Sequence, residues 1–339
     1  MDCSQNIINK VGLEKYERHG YILGMKVTWF SSVMLAVLME PFGASSTFGQ
    51  SAYDFLNLDV SAREASLAGS VMSRTDDPTG FYYNPALSVG AKDRAVTFGF
   101  LKHILDINAG YLFSTFQLHG TGYFGVGIGY INYGSFTTTD DLGNEYGTFS
   151  AGDVLVTANY SNFLAENFSY GFNLKGIYSS IASYSSAAAA FDAGLYYNFP
   201  DDLFGIGFSI LNVGTQLSKY QTVRETLPFD VRIGVSKQLE HLPLILNFAF
   251  QRLGDPDLNA TDRLRSFVLG GEFLLSDNFH VRIGYNNLEH QQMKVGLTSG
   301  IEGLSFGAGL NFLGYGFDYS YSSWGKIGAL NRINVTTSF

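Results

Sequence analysis

The sequence predicts an all-β fold, a transmembrane antiparallel β-barrel, and three observations lead to that prediction. Apolar and polar residues alternate with a period of two from about residue 94 onward, as they do in strands that bury one face. Charged residues make up only 15% of the 339 residues, and aromatic residues make up another 15%. No run after residue 40 reaches the roughly 18 apolar residues that a spanning helix needs. A wall that faces lipid outside and is lightly polar inside explains all three observations.

The segment 25–50 has the features of a secretory signal peptide. A lysine follows its first methionine, the next residues up to Met39 are nearly all apolar, and small residues come after them. This order is typical of such signals, although a single amphipathic or buried helix would look similar. We expect cleavage within the last seven residues of the segment, and we expect residues 1–24 to be a mis-called N-terminal extension. The single cysteine, Cys3, leaves no partner for an intramolecular disulfide.

Residues 51–93 lack the alternation and form a separate polar segment ahead of the barrel. The stretch 61–69 predicts a short helix. The stretch 76–80, Asp-Asp-Pro-Thr-Gly, and the stretch 84–87, Asn-Pro-Ala-Leu, have the residues of turns. A polar segment in this position is either a periplasmic tail or a plug folded inside the lumen.

The barrel itself is predicted to span 94–339. Alternating segments lie at 95–102, 108–118, 122–133, 151–160, 167–175, 187–198, 203–212, 229–237, 243–251, 266–273, 279–286, 291–298, 303–312, 315–322 and 332–339. They number 14 or 15, and single-chain bacterial barrels have an even number of strands, so we expect about 14. A soluble β-sandwich also alternates, but it seldom has so many strands with so few charges.

The polar faces of these strands are expected to line the lumen with mixed charges that pair across it or hold a plug. This predicted lumen face comprises Asn173, Lys175, Asp192, Arg232, Asn247, Glu272, Arg282, Asn286, Lys294, Asp318 and Arg332. A barrel of about 14 strands is narrower than the porins of 16–18 strands that keep an open aqueous channel. A plugged or gated interior is therefore predicted.

The final strand ends in Phe339, whose face alternates with a polar one. An aromatic residue at this position resembles the signal by which the bacterial outer-membrane assembly machinery recognises barrels. We therefore expect Phe339 to be a barrel-assembly signal, the assembly machinery to be a partner, and outer-membrane lipid to surround the protein.

The sequence offers little support for catalysis, for a metal or for a cofactor, and we expect none of the three. Its six histidines show neither metal-ligand spacing nor a partner motif for a nucleophilic serine. The adjacent Asp76 and Asp77 could form a carboxylate dyad, but turn residues that cap backbone amides are the simpler interpretation. A net charge of −9 argues against a nucleic-acid partner.

Three glycines, Gly125, Gly127 and Gly129, share one face of a single predicted strand. Their spacing imitates part of a dinucleotide-binding loop, but no helix follows them. We expect them to present a small surface against which another segment, such as a plug, packs closely.

Several segments resemble a known family. The stretches 55–63, Phe-Leu-Asn-Leu-Asp-Val-Ser-Ala-Arg, and 67–69, Leu-Ala-Gly, together with the Asp pair and the Asn-Pro-Ala-Leu motif, resemble the amino-terminal region of the PorV/PorQ family. These are outer-membrane proteins of the Bacteroidetes and their relatives, similar in fold to the FadL fatty-acid transporters. Segments similar to the PorQ branch in particular are 130–136, 147–153, 174–179, 227–230 and 236–241.

The resemblance covers most of the chain after about residue 51, and it implies a 14-stranded barrel with an N-terminal plug that acts in type IX secretion. The implied partners are type IX secretion components and cargo proteins with C-terminal sorting domains. Two departures are notable. Ala68 stands where the family usually has glycine, which matters little only if Ala68 needs no positive φ. Residues 1–24 have no counterpart in the family.

Five residues are expected to position the plug: Arg63, Asp76, Asp77, Asn84 and Pro85. Arg63 is expected to pair with an acidic side chain on or near the plug, because a buried guanidinium needs a partner.

The alternative function is a FadL-like channel for hydrophobic small molecules. Such a channel needs an apolar pocket, which plug residues such as Phe55, Leu56 and Phe81 could build, although the polar lumen argues against it. A purely structural barrel, or an enzyme such as an outer-membrane lipase, is a third reading with little support.

Overall fold

The computed structural model is a closed antiparallel barrel of 14 strands, which confirms the predicted fold. The structure describes residues 53–90, 94–103, 106–200, 203–220, 224–294 and 300–339. The predicted extension 1–24 and signal peptide 25–50 lie outside these residues. The strands are β1 (Ala95–Lys102), β2 (Asn108–Leu118), β3 (Gly122–Thr139), β4 (Glu145–Ala165), β5 (Phe168–Ile181), β6 (Tyr184–Phe199), β7 (Phe204–Ser218), β8 (Asp230–Gln238), β9 (Leu244–Phe250), β10 (Phe267–Leu274), β11 (Phe279–Asn286), β12 (Leu304–Phe312), β13 (Tyr315–Ser323) and β14 (Ala329–Ser338).

Each strand pairs with its neighbours in sequence, and β1 pairs with β14 to close the sheet. Because the sheet is closed, the backbone N–H and C=O groups of each strand can pair within the sheet. A lipid environment requires this, since lipid offers these groups no partners. The α-helices are α1 (Ala62–Ser66), α2 (Ala260–Arg265) and α3 (Asn287–Met293), and short 3₁₀ helices lie at Asp54–Asn57, Gly80–Tyr82, Pro85–Gly90 and Gly325–Ile327. Among the helices of the described residues, none is long and apolar enough to cross a membrane.

The two ends of the barrel differ in their connections. At one end of the barrel, a brief turn joins each even-numbered strand to the next odd-numbered strand, from β2–β3 to β12–β13. We call this the short-turn end. The longer connections, including those that contain α2 and α3, lie at the opposite, long-loop end. The longest strands are β3, with 18 residues, and β4, with 21 residues. Their hairpin is longer than predicted, and it lies at the long-loop end.

The two faces of the wall follow the predicted alternation. Apolar side chains such as Leu174 (65% exposed) and Ile333 (53% exposed) cover the outside. Eight of the predicted lumen residues are buried on the inner face: Asn173, Lys175, Asp192, Arg232, Asn247, Glu272, Arg282 and Arg332. Asp318 is partly buried beside Arg282.

The strand predicted at 291–298 is wrong where the structure describes it. Residues 287–293 form α3, and 295–299 lie outside the described residues. The helix begins here because the Asn286 side chain accepts a hydrogen bond from the Glu289 amide, at 3.1 Å, which caps the first turn. Two predicted lumen residues consequently have other places: Asn286 is this cap, and Lys294 is exposed after the helix.

Residues 53–90, hereafter the plug, lie inside the lumen rather than forming a tail. Inner-face side chains from opposite parts of the wall contact them: Asn173 on β5 donates to the Phe81 carbonyl at 2.9 Å, and Arg332 on β14 donates to the Asp59 carbonyl at 3.0 Å. Plug and wall share one buried apolar cluster, in which the rings of Phe81 and Phe113 meet edge to face at 5.5 Å.

The expected helix of the plug is α1, and the turn after it shows that the Ala68 departure is not neutral. Ala68 has a φ of +55° and the following Gly69 a φ of +70°. A Cβ in this left-handed region costs about 1–2 kcal/mol relative to glycine. The alanine therefore places local strain at the point where the plug chain reverses.

Candidate functional site

Glycines on the inner face bring the plug backbone directly against the wall. A Cβ built on Gly207 of β7 would overlap the Met72 carbonyl oxygen, and one on Gly171 of β5 would overlap the Pro85 carbonyl. At Gly125 of β3 the nearest atom to such a Cβ would be the Phe81 ring, at 2.6 Å. The close packing predicted for the glycine-rich strand is confirmed at this position. At Gly207 and Gly171 no side chain fits between the plug backbone and the wall, so the plug is tightly packed against the wall there.

Asn84 and Pro85, both predicted to position the plug, connect it to two strands. The Asn84 amide nitrogen donates to the carbonyls of Met72 and Leu195, each at 3.0 Å. The Pro85 carbonyl accepts from the side chain of Asn159 on β4 at 3.0 Å. Asn84 thus joins the two halves of the plug and attaches them to β6, with its amide fully buried.

An ionic cluster around Glu272 holds the plug against the opposite wall. Arg63 donates to Asp76 at 2.8 Å and to Glu272 of β10 at 3.1 Å, so the predicted pairing of Arg63 is present. Arg74 contacts the same two carboxylates, and Arg282 of β11 donates to Glu272 at 2.7 Å. We call these five residues the Glu272 cluster. Three guanidiniums thus meet one fully buried carboxylate.

The sequence did not identify Arg74 or the central role of Glu272 within this cluster. The adjacent Asp76 and Asp77 do not form a dyad. Asp76 contacts both Arg63 and Arg74, whereas Asp77 caps the next turn by accepting from the Thr79 amide at 2.7 Å and lies 3.9 Å from Arg63. The only sequence feature that could have indicated the role of Arg74 is the acidic residue two positions later, Asp76. Such a spacing of opposite charges is too common in proteins to identify an ion pair.

A second buried pair lies across the lumen. Lys175 of β5 and Asp192 of β6 are 2.8 Å apart and almost completely buried. Lys175 also donates to Asn212 at 2.8 Å and lies 5.0 Å from the centre of the Tyr82 ring. The plug aromatic thus covers a charge pair of the wall, where a cation over a ring face is stabilised.

Glu64 of α1 is a buried acid without a full set of partners. Its Oε1 has no hydrogen-bond partner among the described residues, and the Thr79 hydroxyl reaches Oε2 only at 3.4 Å. Burial raises the pKa of the Glu64 carboxyl to about 8; the Asp77 carboxylate adds to the rise and the Arg63 guanidinium opposes it. The seated plug therefore holds Glu64 in its neutral form near neutral pH.

We expect the plug to be held less firmly as pH rises from about 5 to about 8. The pKa of seated Glu64 is raised above its ordinary value of 4.5, so the stabilisation is complete below that value and is lost as pH rises through the seated pKa. Glutamine cannot ionise. The hydrogen-exchange rate of plug peptides in wild type, divided by that in Glu64→Gln, should therefore rise on the order of tenfold between pH 6 and pH 8. A ratio that does not change with pH would contradict this assignment.

An aromatic cavity of about 460 Å³ opens at the long-loop end, and we call it the mouth pocket. Its lining residues are Tyr133, Phe136, Phe149, Ala151, Asp153, Ser180, Ile181 and Tyr220. The rings of Phe136 and Phe149 stack at 5.2 Å. The Tyr133 hydroxyl donates to Asp153 at 2.6 Å.

A bulge in β3 brings the aromatic residues of the mouth pocket onto one face. The pairing of β3 with β4 shifts by one residue between Asn132 and Ser135, at Gly134, whose φ is +84°. In a regular strand, Tyr133 and Phe136 would point to opposite faces. The extra residue turns both toward the lumen.

The apolar pocket expected from plug residues is therefore built elsewhere. Phe55, Leu56 and Phe81 are buried in the shared plug–wall cluster and do not line the mouth pocket. The sequence analysis did not predict the pocket, because a simple alternation of apolar and polar residues does not show where a bulge inserts an extra residue. The strand predicted at 122–133 ends before the bulge.

Together these features define the class of protein: a plugged 14-stranded barrel of the outer-membrane type. No family model and no curated protein matches the chain. The toluene transporter TodX of Pseudomonas putida is similar in structure, with a TM-score of 0.56 and 11% identity over 81% of this chain and 97% of that one.

Two further solved structures give the same result. The toluene transporter TbuX of Ralstonia pickettii matches with a TM-score of 0.54 and 10% identity, over 81% of this chain and 97% of its own. The monoaromatic hydrocarbon channel CymD matches with a TM-score of 0.54 and 12% identity, over 85% and 99%. At these identities the likeness is one of fold, and it confirms the FadL-like barrel. The resemblance to the PorV/PorQ family stays a prediction.

Proposed function

We propose that this protein is a bacterial outer-membrane channel that takes up an apolar small molecule through the mouth pocket. The mouth pocket itself is the observation that carries the proposal. Its volume lies within the roughly 300–1,000 Å³ of small-molecule sites, and four of its eight lining residues are aromatic, a residue type that is common in such sites. The structural neighbours described as toluene transporters and a monoaromatic hydrocarbon channel support the same function.

The position of the pocket suits uptake from outside the cell. Outer-membrane barrels have short turns on the periplasmic side and longer loops on the outside, so the long-loop end would face the medium. A ligand in the mouth pocket would then lie between the medium and the plug. Passage beyond it requires the plug to move, because the plug backbone contacts the wall without intervening side chains.

Uptake assays with a deletion strain test the proposal. We expect loss of the gene to lower uptake of radiolabelled toluene several-fold. Complementation with Phe149→Ala should restore about a tenth of wild-type uptake at low ligand concentration, because one aromatic wall of the pocket is lost. Tyr146→Ala is the matched control, since Tyr146 lies on the same strand, is 69% exposed and does not line the pocket. Unchanged uptake of toluene in the deletion strain would refute the proposal.

A second candidate function is a role in type IX secretion, which the PorV/PorQ-like segments favour. One structural observation also supports it. The hairpin between β3 and β4 carries exposed apolar residues near its tip, Leu142 (87% exposed) and Tyr146 (69% exposed), and exposed apolar surface is typical of protein contacts.

The secretome of the deletion strain tests this second candidate. If the barrel assists export, cargo with C-terminal sorting domains should accumulate in the periplasm and disappear from the surface and medium. Leu142→Asp should reproduce the defect without lowering the amount of folded barrel. Normal export of all such cargo would eliminate the candidate and leave uptake as the function to pursue.

A further inference from the structure

Asp153 is exceptional among the acidic residues of the barrel wall. The other inner-face carboxylates each pair with a basic side chain: Asp192 with Lys175, Asp230 with Arg232, and both Glu272 and Asp318 with Arg282. Asp153 is just as buried, at 4% exposure. Within the ranges that the structure describes, no lysine, arginine or histidine forms an ion pair with it.

Asp153 lies in surroundings that favour a positive charge beside it. The Tyr133 hydroxyl satisfies one carboxylate oxygen, but a hydrogen bond from a neutral group does not neutralise the charge. Aromatic rings of Tyr133, Phe136 and Phe149 share the same cavity. Ring faces attract cations, most strongly where water is excluded, and a buried charge is stabilised when a counter-charge reaches it.

We propose that the mouth pocket recognises an organic cation, in which an ammonium group is attached to an apolar body. The inference rests on the proposed function, because it assigns a ligand class to the same pocket. The ammonium group lies against Asp153 and the aromatic faces, and the apolar body packs on Phe149 and Ile181. A fatty acid is disfavoured, because its carboxylate would meet the Asp153 carboxylate in a partly dry cavity.

Binding to the full-length protein in lipid nanodiscs tests the proposal, with three water-soluble probes that share one aromatic body. These are benzyltrimethylammonium, benzyl alcohol and phenylacetate. We expect the cation to bind about tenfold more tightly than the neutral alcohol, and phenylacetate to bind weakest. Asp153→Asn, which keeps the side-chain shape and can still accept from Tyr133, should remove most of the preference for the cation, and any change in benzyl alcohol affinity should be smaller than the loss of cation affinity.

Asp141→Asn is the matched control, because Asp141 is an exposed acid at the tip of the same hairpin and should leave all three affinities unchanged. Benzyl alcohol binding without preference for the cation, or a preference that Asp153→Asn does not reduce, would overturn the inference and leave the proposed function standing. If none of the three probes binds, and uptake in the deletion strain is also normal, the inference and the proposed function are both refuted. Gel mobility before and after heating verifies that each variant is folded.

Discussion

Replacement of Glu272 by alanine is expected to release the plug from the lumen. The carboxylate is fully buried and meets the guanidiniums of Arg63, Arg74 and Arg282. Its removal leaves three neighbouring cations without their shared counter-charge, and breaking a buried ion pair in this way costs about 3–5 kcal/mol. Hydrogen exchange of plug peptides should therefore accelerate by about 150- to 5,000-fold, while the outer parts of the strands keep their protection.

Two neighbouring variants serve as controls for Glu272→Ala. Asp318→Asn removes a carboxylate that is 15% exposed and leaves Arg282 bound to Glu272, so it should accelerate plug exchange much less than Glu272→Ala does. Arg63→Ala leaves Glu272 with two guanidiniums, so its plug-exchange rate should fall between those of Glu272→Ala and Asp318→Asn. Equal exchange rates in Glu272→Ala and Asp318→Asn would show that the Glu272 cluster does not hold the plug.

Gly207→Val is the second change for which we expect a large effect. A Cβ at this position overlaps the Met72 carbonyl oxygen, which belongs to the backbone and cannot move away by a change of rotamer. The plug must shift as a unit, and overpacking of this kind costs about 1–3 kcal/mol or more. We expect plug exchange to accelerate by about 5- to 150-fold or more, and ion conductance to appear in planar bilayers where the displaced plug uncovers the lumen.

The control for Gly207→Val is the same substitution at Gly176. That glycine lies on the outer face of β5, and a Cβ there would meet no atom within 4 Å. Valine also suits a strand better than glycine does, so Gly176→Val should be neutral or slightly stabilising. If both variants behave like wild type, the plug does not depend on its contact with the wall at Met72.

The two variants affect the plug from opposite sides, so their consequences for uptake are informative. Glu272 holds the plug by charge on β10, and Gly207 seats it by close contact on β7. If uptake requires plug movement, both variants should raise it, whereas Phe149→Ala lowers it by weakening the mouth pocket. A decrease in all three would mean that the seated plug itself forms part of the route.

Much of the wall was predictable because each strand carries its own alternation. The residues 173, 175, 192, 232, 272 and 282 could be assigned to the lumen without knowledge of their partners, since the period of two separates the faces of any strand. It was also predictable that Arg63 pairs with some acidic side chain, because a cation buried within a barrel needs a carboxylate as its counter-charge. The partner Glu272, more than 200 positions away, was not predictable from local pattern.

The places where the prediction was wrong have local physical causes. The helix α3 replaces an expected strand because one side chain, Asn286, caps a turn at the end of β11. The mouth pocket was missed because the bulge at Gly134 inserts one residue and reverses the faces beyond it. The positive φ of Ala68 belongs to the turn that ends α1, in which the Gly69 amide donates to the Glu64 carbonyl at 2.9 Å.

By itself, the sequence determined that this protein is a barrel with an apolar outside, a polar inside and a separate segment before the first strand. The period of alternation and the composition are properties of single strands, so they can be recognised in the sequence without knowing which strands are neighbours. Only the tertiary structure decided that the segment is a seated plug, that Glu272 joins three arginines, and that Asp153 faces an aromatic pocket without a basic partner in the described residues. These features depend on contacts between distant residues and on register, which turn geometry sets together with the hydrophobic pattern.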